Sequence, residues 1–164
     1  MKNSASDQIF SYDYIVYSKN SARFSINYSI SDNINLKNIV EYLIYTDGDK
    51  NDSQGYFISQ DVHFKPARKP YSITVRYALF DTDGYDSRIY AYENDILYAF
   101  SVPAFSGKGM RIYMLAKMKV FDSLNLYAKI GRTVHPDLKE IGNDLTLIPK
   151  NHKTDLKIEV IWKF

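Results

Sequence analysis

The chain closes with Leu156-Lys157-Ile158-Glu159-Val160-Ile161-Trp162-Lys163-Phe164. Leu156, Ile158, Val160, Trp162 and Phe164 share one parity, while Lys157, Glu159 and Lys163 share the other, broken only by Ile161. A strand points successive side chains to opposite faces, so the stretch predicts one apolar and one charged face. An apolar stripe that ends on an aromatic is the pattern of a transmembrane β-barrel's closing strand, with the stripe turned to lipid. On this reading the five apolar residues are the assembly signal of such a barrel. The same alternation also fits a soluble sandwich or barrel whose apolar face turns inward.

Working back from that strand, the period of two recurs through most of the chain. Phe24, Ile26, Tyr28 and Ile30 alternate with Arg23, Ser25, Asn27 and Ser29; Tyr71, Ile73, Val75, Tyr77 and Leu79 alternate with Ser72, Thr74 and Arg76. Similar runs cover Phe10–Val16, Val40–Ile44, Tyr56–Phe64, Tyr90–Tyr92, Ile96–Val102, Met110–Val120 and Leu124–Ile130. Leu36, Ile39, Val40 and Leu43 also fit a helical spacing, but β-branched and aromatic content and the following Asp47-Gly48 turn favour a strand. With the terminal strand these runs make about ten, an even number as closed bacterial barrels require. The expectation is an all-β chain: an antiparallel up-and-down transmembrane β-barrel of about ten strands, or the C-terminal part of a larger barrel.

Composition agrees with one such domain over residues 1–164, with residues 1–8 expected to be disordered. Mean hydropathy is −0.35 although 45% of residues are hydrophobic by a broad count, because 15 Tyr and 9 Phe carry much of that total. Tyr suits strands and membrane interfaces, where one end of the ring is apolar and the other wet. Rings near strand ends, such as Phe10, Phe64, Tyr71 and Trp162, suit an aromatic girdle. A net charge of +2, with no basic tract, predicts no nucleic-acid partner. The absence of Cys excludes disulfides and thiolate metal sites. No apolar run approaches the length of a membrane helix, and Met1 to Asp7 has no apolar signal core. The expectation is a C-terminal piece of a longer exported protein.

If the last strand ends in the periplasm, the connections sort themselves. Lys19-Asn20-Ser21, Asp47 to Ser53, Thr82 to Ser87, Pro103 to Lys108 and Val134 to His152 fall outside. Asp32 to Asn35, Lys65 to Lys69, Glu93 to Asp95 and Asp122-Ser123 fall in the periplasm. Short periplasmic turns and longer outer loops are the asymmetry of these barrels.

The run Arg76-Tyr77-Ala78-Leu79-Phe80-Asp81-Thr82-Asp83-Gly84-Tyr85-Asp86-Ser87-Arg88-Ile89-Tyr90-Ala91-Tyr92-Glu93-Asn94-Asp95-Ile96-Leu97-Tyr98-Ala99-Phe100-Ser101-Val102-Pro103, with Gly107-Lys108-Gly109, is distinctive. It resembles the C-terminal barrel region of large outer-membrane proteins of the Bacteroidetes group, usually labelled helix-hairpin-helix domain-containing. The resemblance runs from about Phe24 to Phe164 and takes in Tyr127 to Thr133. It implies a barrel fold and the outer membrane of a Gram-negative bacterium, not a reaction. The helix-hairpin-helix module has no counterpart here, so no nucleic-acid role is carried over. The expected partners are outer-membrane lipid and lipopolysaccharide, the barrel-assembly machinery and one further protein.

Candidate chemistry is sparse. Asp81, Asp83 and Asp86 form an acidic turn that offers oxygens to calcium, and Asp47-Gly48-Asp49-Lys50-Asn51-Asp52 forms a second; neither has the EF-hand spacing. Asp and Gly in such positions are also ordinary turn chemistry. His135 and His152 share the long outer loop, where a lipid-modifying enzyme would carry its groups, but no nucleophile motif accompanies them. No catalytic residue is assigned. Arg76, Arg88, Arg111, Lys117, Lys119, Lys129, Lys157 and Lys163, balanced by Asp61, Asp155 and Glu159, are expected to face the lumen as a charge network. A structural or transport-type barrel is the leading expectation. A membrane-embedded lipid-modifying enzyme and a soluble barrel for a small apolar ligand are the alternatives.

Overall fold

A computed structural model describes residues 17–48 and 52–164. The expected first strand, Phe10–Val16, and the expected disorder of residues 1–8 lie outside the described residues. The chain is all-β. Seven long strands form one antiparallel meander: β1 (Tyr17–Ser31), β2 (Ile34–Asp47), β3 (Ser53–Phe64), β4 (Tyr71–Thr82), β7 (Gly109–Phe121), β8 (Leu124–Val134) and β9 (His152–Trp162). Between β4 and β7, two short strands, β5 (Ile89–Tyr90) and β6 (Ala104–Phe105), pair only with each other.

Among the described residues the sheet is open, with β1 and β9 as its edges. All six ladders are antiparallel, so seven strands leave both edges running in the same direction. The expectation of about ten strands is therefore corrected for the described residues. Lys19-Asn20-Ser21 is not a turn; it pairs with Tyr45, Ile44 and Leu43 inside β1. The runs Tyr90–Tyr92 and Ile96–Val102 are not members of the large sheet. They belong to residues 83–108, an insert folded across one face, and Glu93-Asn94-Asp95 is not a turn at the sheet's end.

Losing a pair of strands leaves the sidedness of the others unchanged. Connections 32–33, 65–70 and 122–123 lie at one end of the sheet; 48–52, 83–108 and 135–151 lie at the other. The first set is short and the second contains both long connections.

The register shows which face is which. Phe24, Val40, Ile58, Leu79 and Met110 are successive partners across β1, β2, β3, β4 and β7. All five are exposed. One residue along, on the opposite face, Glu41, Phe57 and Phe80 are buried. The sheet is thus inverted relative to a water-soluble layer: its apolar face is open and its charged face is covered where residues 83–108 lie across it, while β1 stays exposed on both faces.

Candidate functional site

The covered face is built by the insert. Ser87, Ile89, Ala91, Glu93 and Asp95 are buried, while Tyr90 and Tyr92 between them are exposed. This is an extended chain without a full ladder, and its carbonyls find other donors. Lys19 Nζ donates to the carbonyls of Asp86 and Arg88 at 3.2 and 3.1 Å, and Arg23 Nη2 donates to that of Tyr90 at 2.8 Å. Arg76 donates to the carbonyl of Tyr92. Four alternate carbonyls are thereby satisfied by cations on the sheet, as buried backbone groups must be.

Two layers hold the insert. The apolar layer joins Ile89, Ala91 and Phe105 to Ile39, Leu43, Phe57, Ala78 and Phe80 of β2–β4. The Phe105 ring lies 5.0 Å from both Phe57 and Phe80, within the range of favourable ring pairs. Gly55 makes this approach possible, because a Cβ there would lie 2.5 Å from the backbone oxygen of Ser87.

The ionic layer lies toward β7, β8 and β9. Arg111 donates from Nε and Nη2 to the two oxygens of Glu93, at 2.6 and 3.0 Å, and from Nη1 to Asp155 at 2.9 Å. Lys129 Nζ lies 3.1 Å from Glu93 and 3.4 Å from Asp95. Lys157 Nζ donates to Asp95 at 2.6 Å. Glu93 is 0% exposed and Lys129 1%. Beside this clasp, Arg76 holds Asp61 in a two-pronged pair, with Nη2 to Oδ2 at 2.6 Å. The Tyr113 ring lies under both cations, 5.5 Å from Arg76 and 4.6 Å from Lys129. Its hydroxyl accepts the N–H of Asn94 at 3.2 Å. Four cations, Arg76, Arg111, Lys129 and Lys157, meet four carboxylates, Asp61, Glu93, Asp95 and Asp155, so the charges of this cluster balance.

No family model, curated protein or solved structure matches the chain. The geometry therefore carries the functional reading.

Six of the residues expected to form one charge network do come together. Arg76, Arg111, Lys129, Lys157, Asp61 and Asp155 meet on the covered face. Lys119 instead pairs with Asp122 at 2.6 Å, and Arg88 sits on the insert, bonded to the Tyr90 hydroxyl and the Tyr85 carbonyl. Lys117 lies over the Tyr127 ring at 5.8 Å. Lys163 donates its backbone N–H to Ser123. Glu159 takes no part in the clasp: its shielded Oε2 has no hydrogen-bond partner among the described residues. The sequence reading missed Glu93 and Asp95, which it placed in a turn, although they are the insert's half of the clasp.

The acidic turn does not converge. Asp81 is exposed on β4, Asp83 accepts the N–H of Gln54 at 2.8 Å, and Asp86 is held through its backbone carbonyl. Among the described residues no three His, Asp or Glu side chains are gathered for a metal. The second acidic turn falls partly outside the described residues. His135 packs edge-on against Phe80 and faces the Lys108 carbonyl, and His152 faces Asn151; among the described residues neither is hydrogen-bonded to a serine. Leu156, Ile158, Val160, Trp162 and Phe164 form one exposed stripe along and beyond β9.

Proposed function

We propose that the chain is part of the wall of a transmembrane β-barrel in the outer membrane of a Gram-negative bacterium, with the insert folded into its lumen. The observation that carries this is the inverted sheet. In water, an apolar row across five neighbouring strands forgoes roughly 1.5–3 kcal/mol for each large side chain left uncovered. A contiguous apolar face of this kind marks a membrane or a partner. In lipid the same face is the favourable one, and the charges belong inside. The grouping of short connections at one end and long ones at the other supports the same orientation, with the C-terminus periplasmic. The resemblance to the Bacteroidetes barrel regions points the same way.

On this reading the apolar face meets outer-membrane lipid and lipopolysaccharide, and the β9 stripe is offered to the barrel-assembly machinery. The edges have a consequence for closure. Because β1 and β9 run in the same direction, a wholly antiparallel barrel needs an odd number of additional strands between them. Seven strands alone would also be narrower than the eight-stranded barrels that side chains already fill, whereas this lumen holds a folded segment as well. A lumen crossed by a clasped insert suits gated passage or a structural role better than an open pore, and no reaction is assigned.

Membrane fractionation tests the proposal. The chain should stay with membranes through an alkaline wash and require detergent for extraction. A monodisperse protein in buffer alone would overturn it.

A further inference from the structure

The charges of the clasp are divided unevenly. The sheet supplies Arg111, Lys129, Lys157 and Asp155; the insert supplies Glu93 and Asp95. Without the insert, three of these cations would face one carboxylate, leaving these four side chains at a net +2. Lys129 and Lys157 are also direct partners in the β8–β9 ladder. Like charges directly opposite one another destabilise a sheet unless an anion lies between them. Asp95 is that anion, at 3.4 and 2.6 Å. Arg111 grips Glu93 through two nitrogens, the fork that matches a planar carboxylate. The apolar layer already anchors Ile89, Ala91 and Phe105, so these cations do more than attach a loop.

A second feature adjoins the clasp. A cavity of ≈ 280 Å³ opens beside Asn94, the residue between the two carboxylates. Lys37, Lys117 and Asp61 line it with His63 and Thr74, two cations against one carboxylate. It is polar, and its size fits a small organic molecule rather than a polymer.

We infer that Arg111, Lys129 and Lys157 form a binding site for a small organic dicarboxylate, and that Glu93 and Asp95 occupy it as built-in substitutes. The ligand reaches the site through the cavity at Asn94 and replaces the two carboxylates, so that binding and withdrawal of residues 93–95 are one event. A ligand that binds only the withdrawn state shifts the insert toward that state. This deepens the barrel reading by naming what the lumen takes, and it rests on that reading.

Calorimetric titration of the detergent-solubilised full chain with succinate tests it, with chloride as the control. The paired substitution E93Q/D95N removes the substitutes' charge but keeps their shape, and it should bind succinate at least about tenfold more tightly than the unaltered chain. No saturable binding by the folded variant, or binding matched by chloride, would overturn the inference. Should that variant fail to fold, a spin label at the exposed position 98 of the otherwise unaltered chain decides instead. Millimolar succinate should raise the label's mobility and chloride should not; no change would overturn the inference. The barrel reading fails by a different result, extraction without detergent, so the two outcomes are separable.

Discussion

Glu93→Gln keeps the outline of the side chain and removes its charge. The native carboxylate receives Arg111 at 2.6 and 3.0 Å and Lys129 at 3.1 Å, and it is wholly buried. After the change Arg111 still has Asp155, at 2.9 Å, whereas Lys129 keeps Asp95, at 3.4 Å, and the Tyr113 ring, at 4.6 Å. Removing one partner of a buried ion pair costs about 3–5 kcal/mol. The surviving partners put this case at the low end, about 3 kcal/mol. That energy falls on the insert, because the sheet keeps its ladders. An opening equilibrium raised by about 3 kcal/mol is a change of roughly 150-fold. Hydrogen exchange reads it directly. The Glu93 amide is bonded to the Ser101 carbonyl at 2.9 Å and should exchange about a hundredfold faster, while amides within β3 and β4 keep their rates. A change of less than about threefold, below the energy of a typical hydrogen bond, would refute the claim that the clasp holds the insert.

Three further outcomes follow from the same geometry. Gly55→Ala forces a methyl against the Ser87 oxygen, now 2.5 Å from where it would sit, and should destabilise insert docking by about 1–3 kcal/mol in the same exchange measurement. Val160→Arg on the open face should cost about 2–4 kcal/mol in urea unfolding from lipid vesicles, and Glu159→Gln much less. For Asp95, burial pushes the carboxyl upward, but the hydrogen bond from Lys157, the Ile96 amide and the charge of Lys129 prevail, and it is held below the ordinary value of 3.8. A depressed carboxyl gives stability that is present above its unfolded value and lost as pH falls through the folded one. The insert, with Glu93 and Arg111 beside it, should therefore stay docked in spectroscopic titration until pH drops below 3.8.

The terminal strand was legible because its two faces differ in every pair but one, and alternation is a property of a single strand. The stretch at Leu36–Tyr45, ambiguous with a helix, was settled by its β-branched content, and it is β2. The insert was misread for a physical reason. Alternation reports an extended chain with two unlike sides, not membership of a ladder. Ile89, Ala91 and Glu93 face the sheet while Tyr90 and Tyr92 face away, yet the large sheet meets this stretch through cations that donate to its alternate carbonyls and not through a strand ladder. Glu93 and Asp95 read as a turn because their partners are 18 to 62 positions away in the chain. One local signal was present: Gly55 interrupts β3 where a side chain would be normal, and such a glycine marks the close approach of another backbone. The inversion of the faces could not be read from alternation, since apolar-in and apolar-out strands share it; the rings near strand ends were the signal that favoured apolar-out.

The inverted sheet is tested most directly by lipid-borne quenchers and a fluorophore placed in turn at positions 160 and 159 of vesicle-reconstituted protein. Val160 is 60% exposed on the apolar face, and Glu159 points to the opposite one. A wall strand predicts strong quenching at 160 and little at 159. Equal quenching at both positions, or none at either, would contradict a membrane-facing apolar sheet.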